Sequence, residues 1–254
     1  MPISKNFQNK YGIVTGAASG IGRAAALNLA QSGAGLSLAD IEDNALKTLA
    51  GEIEKNGDPN PLIVKTDVSS ETDVQSLVEK TKASFGRIDF LVTSAGILRR
   101  TKFADMPISE WDLMLAVNLR GPFLCCRAVV PIMIQQGGGI IVNVASLAGR
   151  TASVLGGAHY TAAKHGVVGL TRHIARELGP YGIRANAFCP GATLTPMVQR
   201  ATPSEELDRI ASGMPIRRWS KPEEQARVIA FLLSEDSNFI TGACIDSNGG
   251  AVMV

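Results

Sequence analysis

Residues 11–22 read YGIVTGAASGIG, and the part from Thr15 to Gly22 joins an apolar strand to a helix through a glycine-rich turn. Glycine at such a turn lets the backbone approach a pyrophosphate, while the free amides and the dipole of the following helix favour negative charge. A glycine-rich turn alone is a weak signal, because many tight strand-to-helix turns contain glycine for steric reasons only. The turn therefore raises the hypothesis of a bound dinucleotide, which needs support from a second residue.

That support comes from Asp40, which ends the next strand-like run, LSLAD. A carboxylate at this place can hold the hydroxyl groups of a ribose. Its charge repels a 2'-phosphate, and the following Ile41 and Glu42 offer no cation to bind one, so the pattern favours NAD over NADP. The alternative is that Asp40 only caps a helix that begins near Asp43.

Outward from this turn, short apolar runs alternate with longer amphipathic runs along the whole chain. The strand-like runs read YGIVT, LSLAD, PLIVKTD, IDFLVTSAG, GIIVNVAS, IRANAFCP and GACIDS. Helical runs separate them, the longest from about Ala158 to Leu178. The pattern predicts one α/β domain over residues 1–254, a Rossmann-type doubly wound parallel sheet of about seven strands with helices on both faces. The weakly periodic segment at about 191–220 is expected to be a substrate lid.

The composition gives little reason to expect a polyanion as partner. The chain has 254 residues, 45% of them hydrophobic, and its 25 basic and 23 acidic residues are spread without any block of like charge. Nucleic acid and membrane are therefore not expected as partners. No apolar window approaches the roughly 20 residues that cross a membrane, and the N-terminus lacks the pattern of a secretory signal.

The cysteines and histidines suggest no metal site. The cysteines form no CxxC pair and are expected to be reduced core thiols of a cytoplasmic protein; they are Cys125, Cys126, Cys189 and Cys244. The histidines have no carboxylate cluster beside them in sequence, so packing or surface roles are favoured over metal binding. They are His159, His165 and His173.

Residues 159–164 read HYTAAK and place a phenol and an ammonium four positions apart in a predicted helix. Residues at this spacing lie on one helix face, so Tyr160 and Lys164 are expected to project side by side. A nearby ammonium favours the phenolate and lowers the pKa of the tyrosine. Such a tyrosine can exchange a proton with an alcohol or carbonyl oxygen. Taken alone, however, Tyr-x-x-x-Lys usually marks a half-buried surface pair.

This pair occurs together with several other motifs in a characteristic order. They are TGAASGIG, Asp40, Asn118 in VNLRG, Ser146 in NVASLAG, Tyr160 with Lys164, and Pro190-Gly191. With this set the chain resembles the classical short-chain dehydrogenase/reductase family from about Gly12 to Gly250. The resemblance implies a nicotinamide cofactor, which Asp40 identifies as NAD, and a small-molecule substrate.

The resemblance also implies a role for each matching residue. Tyr160 would be the general acid/base, Lys164 would lower its pKa and hold the nicotinamide ribose, and Ser146 would hydrogen-bond the reacting oxygen. Asn118 would hold a water that links Lys164 to solvent. The implied cofactor contacts are Thr15, Gly16, Ser19, Gly20, Ile21, Gly22, Asp40, Asp67, Val68, Ala95, Gly96, Tyr160, Lys164, Pro190, Gly191 and Thr195.

The chain departs from the family pattern in two places. The fourth strand ends in Thr93-Ser94-Ala95-Gly96, where Asn-Asn-Ala-Gly is usual, so a hydroxyl must replace a side-chain amide. In addition, 14 positions separate Ser146 from Tyr160, one more than usual, and Gly156 and Gly157 are expected to absorb the extra residue.

The expected reaction is NAD-dependent hydride transfer between nicotinamide and a secondary alcohol or ketone, with a sugar, polyol or hydroxy acid favoured as substrate. A 3-oxoacyl reductase is a related possibility. That branch usually carries basic residues before strand five, where this chain reads VVPIMIQQGGGII, and usually prefers NADPH. A non-catalytic dinucleotide-binding sensor and an epimerase or dehydratase relative are the remaining hypotheses. The resemblance also implies a homotetramer built partly from the helices around Trp111 to Met133.

Four arginines follow strands or lie in the expected lid, where they would border the substrate crevice. One or more of them is hypothesised to recognise an anionic or polyhydroxylated substrate; a solvated positive rim is an equally weighted interpretation. They are Arg99, Arg100, Arg150 and Arg200.

Overall fold

A seven-stranded parallel sheet forms the centre of the protein in a computed structural model that describes residues 6–253. The strands lie in the order β3-β2-β1-β4-β5-β6-β7, so the direction of the connections reverses between β1 and β4. Their bounds are β1 Tyr11–Thr15, β2 Gly35–Asp40, β3 Leu62–Lys65, β4 Phe90–Thr93, β5 Gly139–Val144, β6 Ile183–Pro190 and β7 Cys244–Ser247. The predicted fold class is confirmed. Residues 1–5 and Val254 are part of the domain expected over residues 1–254. They lie outside the described residues.

Helices cover both faces of the sheet and bury its alternating side chains. Ile13 packs toward the face that carries α3, α5 and α6, and Val14 toward the face that carries α1, α2 and α9. Because both faces are covered, the strands read as continuous apolar runs. The bounds are α1 Gly20–Gln31, α2 Asp43–Lys55, α3 Glu71–Phe85, α4 Ile108–Leu115, α5 Gly121–Gln135, α6 Ala158–Leu178, α7 Pro196–Ala201, α8 Ser204–Ser212 and α9 Pro222–Leu233.

The segment at 191–220 contains two helices, where the sequence predicts a loop with weak periodicity. Both begin at typical start signals, since Thr195 caps α7 through a hydrogen bond from the amide of Val198, and Pro203 precedes α8. The helices are short, and none of their residues is buried. Few apolar positions therefore mark them in the sequence.

The helical run from 108 to 135 is long and apolar enough, by length and composition alone, to cross a membrane, contrary to the expectation from the sequence. Buried helices of folded domains pass the same test. A π-helical turn, Ala116–Arg120, separates α4 from α5 within this run, and α5 packs Leu124, Val129 and Met133 against the sheet. These contacts account for its apolar character within the fold.

The four cysteines are free thiols, as the sequence predicts, and three of them are buried. Burial raises the pKa of the Cys126 thiol, and likewise that of Cys189, to about 12. Both thiols therefore stay protonated and serve as small apolar side chains at neutral pH.

Two glycines allow a matched test of packing. A side chain at Gly12 in β1 would overlap the buried ring of Phe90, whereas Gly51 inside α2 faces open space. We expect Gly12→Ala to lower the free energy of unfolding by about 1–3 kcal/mol through overpacking. Gly51→Ala should raise it by about 0.5–1 kcal/mol through helix propensity. Urea denaturation measures both, and equal effects of the two substitutions would contradict the packing around β1.

Candidate active site

The glycine-rich turn is held against the end of β4. The Thr15 hydroxyl oxygen accepts hydrogen bonds from the amides of Ser94 and Ala95, at 3.2 and 3.3 Å. Gly16 has a φ of +67°, and a β-carbon there would lie 2.6 Å from the Ala95 nitrogen. Thr15 is only 1% exposed, so its side chain positions the turn, and the cofactor contact that the resemblance implies for Thr15 stays a prediction.

The first turn of α1 leaves its amides open. Ser19 is the N-cap residue, but its side chain makes no capping hydrogen bond, and no acidic residue lies in this turn. Gly22 is buried directly against the carbonyl oxygen of Gly16, so any side chain there would push the helix off the turn. Ile21 packs into the core beside them. Open amides, a positive dipole end and a surface without side chains suit a pyrophosphate.

Asp40 lies beside this turn, at the carboxyl end of β2. Its Oδ2 accepts a hydrogen bond from the Ala18 amide at 3.0 Å, and its Oδ1 accepts one from the Glu42 amide at 3.1 Å. The N-cap of α2 is Glu42, so a role of Asp40 as helix cap is not supported. The turn itself holds the carboxylate in place next to the expected ribose position.

Asp67 and Val68 follow β3 at the same edge of the sheet. The Oδ1 atom of Asp67 accepts hydrogen bonds from the amide and the hydroxyl of Ser69, at 2.8 and 2.7 Å. Val68 is buried and packs against Gly121 at the start of α5. The exposed Asp67 is thus the more accessible of the two to a ligand.

Tyr160 and Lys164 lie on one face of α6, as predicted, with the Lys164 Nζ atom 5.7 Å from the centre of the tyrosine ring. The ammonium donates a hydrogen bond to the carbonyl oxygen of Val144 at 2.9 Å. Lys164 is only 5% exposed, and burial lowers its pKa to about 8.

The Ser146 hydroxyl lies close enough to the phenol of Tyr160 to influence its pKa, so the end of β5 and the start of α6 come together here. Burial raises the pKa of Tyr160, and the hydrogen bond from Ser146 opposes that shift without cancelling it. The direction is opposite to the one expected from the Lys164 charge, because removal of the phenol from water outweighs the nearby groups. The Oγ atom of Ser146 also accepts a hydrogen bond from the Ala148 amide at 3.0 Å, which orients the hydroxyl.

Asn118 is fully buried in the π-helical turn between α4 and α5. Its side chain pairs with the backbone of Ile97, accepting from the amide at 2.9 Å and donating to the carbonyl at 2.8 Å. A β-carbon at Gly96 would approach the Asn118 Oδ1 atom to 2.9 Å and the Lys164 Nζ atom to 3.9 Å. The Asn118 side chain therefore anchors the loop after β4, and the water-holding role that the resemblance implies for Asn118 stays a prediction.

The loop after β6 completes the site. Pro190 ends β6, and the Gly191 amide donates to the carbonyl of Ser247 in β7 at 3.0 Å. Thr195 lies against Gly20, so the start of the expected lid meets the glycine-rich turn. The predicted cofactor and catalytic residues thus collect along the carboxyl edge of the sheet, around the reversal between β1 and β4.

A buried polar chain replaces the side-chain amide that the family usually has at the end of β4. Thr93 donates to the Asn143 Oδ1 atom at 2.8 Å, and the Asn143 Nδ2 atom donates to Thr171 at 3.0 Å. The chain joins β4, β5 and α6, as the expected hydroxyl substitute would. Asn143 and Thr171 were not anticipated, because no local pattern marks their pairing.

A turn between Ser146 and Tyr160 lies just before α6, where an extra residue is expected from the sequence. The Ser153 hydroxyl accepts a hydrogen bond from the Gly156 amide at 2.7 Å, and Gly156 lies directly against the Tyr160 side chain. A side chain at Gly156 would crowd the phenol. Glycine there leaves room for Tyr160.

The arginines near the crevice differ in their pairing. Arg100 makes a bidentate ion pair with Glu206 of α8, with nitrogen to oxygen distances of 3.0 and 2.7 Å. Arg150 lies 3.3 Å from Asp246. Arg99 and Arg200 donate to nearby backbone carbonyls, of Leu98 and Pro196. Carboxylates of the chain thus already partner two of the four proposed substrate-binding cations.

The histidines also differ from one another. His165 contacts the Thr161 carbonyl on the surface, and His173 pairs with Glu177 in an exposed position. His159, in contrast, is fully buried, and its Nε2 atom lies 2.9 Å from a carboxylate oxygen of Glu110. The sequence does not reveal this pair, because Glu110 lies 49 residues earlier.

Comparisons with known proteins agree with this arrangement. A model of the family described as enoyl-(acyl carrier protein) reductase matches residues 16–252. The chain is 40% identical over 247 residues to the 3-oxoacyl-[acyl-carrier-protein] reductase of Thermotoga maritima, covering 97% of this chain and 99% of that protein. It is 38% identical over 259 residues to the human (3R)-3-hydroxyacyl-CoA dehydrogenase, covering 99% and 98%.

A solved structure extends the similarity to three dimensions. It is a 3-oxoacyl-[acyl-carrier protein] reductase from Brucella melitensis with bound NAD, with a TM-score of 0.92 and 32% identity over 100% of this chain and 95% of that chain. Identity and coverage at this level show a shared family as well as a shared fold. The chain belongs to the short-chain dehydrogenase/reductase family, and it is an oxidoreductase of hydroxyl and keto groups.

Proposed function

We propose that the protein catalyses NAD-dependent hydride transfer between a secondary alcohol and the corresponding ketone, with Tyr160 as the general acid/base. The observation that carries this proposal is the convergence of the Tyr160 phenol with the Ser146 hydroxyl and the Lys164 ammonium at the carboxyl edge of the sheet. The glycine cradle at Gly16 and Gly22 and the carboxylate of Asp40 fit a dinucleotide. When bound, the nicotinamide supplies the hydride acceptor or donor.

In the oxidation direction, the phenolate form of Tyr160, which the nearby Lys164 charge favours, accepts the hydroxyl proton of the substrate as the carbinol carbon is oxidised. Ser146 donates a hydrogen bond to the substrate oxygen and so stabilises the charge that develops there. The amide of Ala148 already orients the Ser146 oxygen, which reduces reorganisation during the reaction. In the reduction direction, Tyr160 returns the proton to the same oxygen.

Lys164 has two proposed tasks, which its position supports. The Val144 carbonyl and the first turns of α6 hold the ammonium below the tyrosine ring, where its charge favours the phenolate. The same ammonium lies near Gly96, on the side where the nicotinamide ribose is expected. The protein keeps this charge in spite of its burial, a stability cost characteristic of functional sites.

The proposed substrate is a sugar, polyol or hydroxy acid. A 3-oxoacyl reductase is the second candidate, and the names of the relatives from Thermotoga maritima and Brucella melitensis favour it. The segment VVPIMIQQGGGII before β5 lacks the cations that an acidic carrier protein would attract, and Asp40 disfavours NADP. Absorbance at 340 nm tests both, with NAD and a panel of secondary alcohols in one arm and NADH or NADPH with 3-oxoacyl thioesters in the other. Silence in both arms with measurable NADH binding would instead indicate a dinucleotide sensor.

The segment at 191–220 is proposed to be the substrate lid. It begins and ends at the bridge between Thr193 and Ser220, whose hydroxyl groups are 3.0 Å apart. Across the crevice, Glu206 of α8 reaches Arg100 in the loop after β4. The bidentate pair fastens the lid to the loop and therefore acts as its latch.

Two further properties are proposed, a homotetramer from the family resemblance and a cytoplasmic location from the cysteines. A homotetramer would bury the apolar side chains that α4 and α5 expose, such as Leu113 and Phe123, which are 47% and 44% exposed. A cytoplasmic location agrees with four free thiols.

We expect Tyr160→Phe to lower turnover by at least about a hundredfold, because it removes the proton donor. NADH binding, measured by fluorescence titration, should stay within about threefold of the parent, since the ring remains. A variant that retained turnover would remove Tyr160 from the role of general acid/base.

Lys164→Met should abolish turnover and yet stabilise the protein. Because the pKa of Lys164 falls from 10.5 to about 8 on folding, the buried charge costs about 1–3 kcal/mol at neutral pH. Between pH 8 and pH 10.5, Lys164 is protonated in the unfolded chain and largely deprotonated in the folded protein. The free energy of unfolding of the parent should therefore rise with pH in this window. Urea denaturation across the window should show that rise in the parent and a weaker one in the variant. Equal pH slopes would contradict the burial of the charge.

Asp40→Ser should reduce the preference for NAD over NADP by about tenfold or more, because a repulsive charge next to the 2'-phosphate is removed. The ratio of kcat/KM for the two cofactors measures the preference. Asp43→Ser is the control, since it removes the same charge from the start of α2. An identical ratio in parent and Asp40→Ser would exclude Asp40 from cofactor selection.

Opening of the proposed latch should weaken substrate binding. Arg100→Gln and Glu206→Gln should each raise the KM for the substrate by about twofold to fivefold, the scale of a partly exposed ion pair, and the double variant should add little more. Arg127→Gln, which breaks an exposed pair with Glu71 far from the crevice, is the control. Additive effects of Arg100→Gln and Glu206→Gln would show that the two residues act separately.

A further inference from the structure

His159 makes two hydrogen bonds directly next to the phenol that carries the proposed chemistry. Its Nδ1 atom accepts a hydrogen bond from the Tyr160 amide at 2.9 Å, an amide that also donates to the Gly157 carbonyl at 3.1 Å, and its Nε2 atom lies 2.9 Å from Glu110 Oε1. The imidazole is 0% exposed, whereas the Glu110 side chain is 23% exposed. One buried side chain thus joins the backbone of Tyr160 to a carboxylate on α4.

The two bonds together define the state of the ring. The tautomer with its proton on Nε2 fits both contacts, because Nδ1 then accepts from the amide and Nε2 donates to the carboxylate. A neutral imidazole in this tautomer satisfies both partners. A side chain with a packing role alone would not require either hydrogen bond.

Glu110 extends the connection to the loop after β4. Hydrogen bonds from Thr101 and His159 lower the pKa of Glu110, so the carboxylate stays charged. In the same place the Gly157 amide donates to the carbonyl of Arg99 at 2.9 Å. The loop at 97–103 is therefore attached to the first turn of α6 at this end, while Asn118 holds its other end at Ile97.

We propose that His159 is a positioning residue with two separable effects, an inference that rests on the proposed function. Its Nδ1 contact sets the first turn of α6, and so the place of the Tyr160 phenol relative to the substrate oxygen. Its Nε2 contact, through Glu110 and Thr101, holds the loop at 97–103 against the crevice. The first contact governs kcat, and the second governs the KM for the substrate.

Two substitutions separate these effects, because asparagine and glutamine each retain one of the two contacts. His159→Asn places an oxygen near the Nδ1 position, so kcat should stay within about threefold while KM for the substrate rises. His159→Gln places an amide nitrogen near the Nε2 position, so KM should stay within about threefold while kcat falls. A displacement of the phenol by a fraction of an ångström up to 1 Å corresponds to about a tenfold to hundredfold loss in kcat.

Glu110→Ala provides an independent test on another helix. It should raise KM as His159→Asn does, and the double variant should equal the single variants, since both break the same contact. His173→Asn is the matched control, because His173 forms an exposed pair with Glu177 on the same helix, at 3.0 Å. If the His159 variants fail to fold, Glu110→Ala alone decides through its KM.

Steady-state kinetics measures kcat and KM for each variant, with the substrate that the absorbance assay at 340 nm identifies. A parent enzyme without turnover on any substrate would overturn the proposed function and this inference with it. An active parent with equal losses in both His159 variants, or an unchanged KM in Glu110→Ala, would overturn the inference alone and reduce His159 to a packing role. Opposite splits of kcat and KM in the two variants would establish it.

Discussion

The close backbone approach between the glycine-rich turn and the end of β4 is the constraint on which the rest of the site depends. Gly16 touches the amide of Ala95, Gly22 touches the carbonyl of Gly16, and Thr15 accepts from two amides of the neighbouring strand. No side chain fits between these segments. The turn is therefore rigid before any ligand binds, and it faces the crevice at the reversal of the sheet.

Two further connections link the rigid turn to the residues proposed for proton transfer. The loop that leaves β4 passes Gly96, where Asn118 and Lys164 meet, and is then held by Asn118 at Ile97. On the other side, Ser146 at the end of β5 reaches Tyr160 on α6. Groups that hold a cofactor and groups that handle a proton thus share one framework of backbone contacts, which preorganises them for hydride transfer.

Local patterns in the sequence predict most of the fold. The run YGIVT, the run IRANAFCP and the helix Ala158–Leu178 have the expected bounds, because continuous apolar runs and helical periodicity are properties of short segments. The positions of Tyr160 and Lys164 follow from helical spacing, and the roles of the glycine-rich turn and Asp40 follow from their places at strand ends. The remaining site residues came from the resemblance. Pairings between distant segments, such as His159 with Glu110 or Thr93 with Asn143, leave no local signal. The direction of the Tyr160 pKa shift was also missed, because it depends on burial in the folded chain.

The order of the strands also determines when the site can assemble. β1 pairs on one side with β2, the next strand in the chain, and on the other side with β4, where the partners Gly12 and Phe90 are far apart in sequence. During synthesis the glycine-rich turn is made early, but its geometry is complete only once residues near Ala95 have been made. The phenol on α6 is made later still. Such long-range parallel pairing slows folding. An incomplete chain that stops before α6 would therefore contain much of the nucleotide-binding half, together with Asn118 and Ser146, but would lack Tyr160 and Lys164.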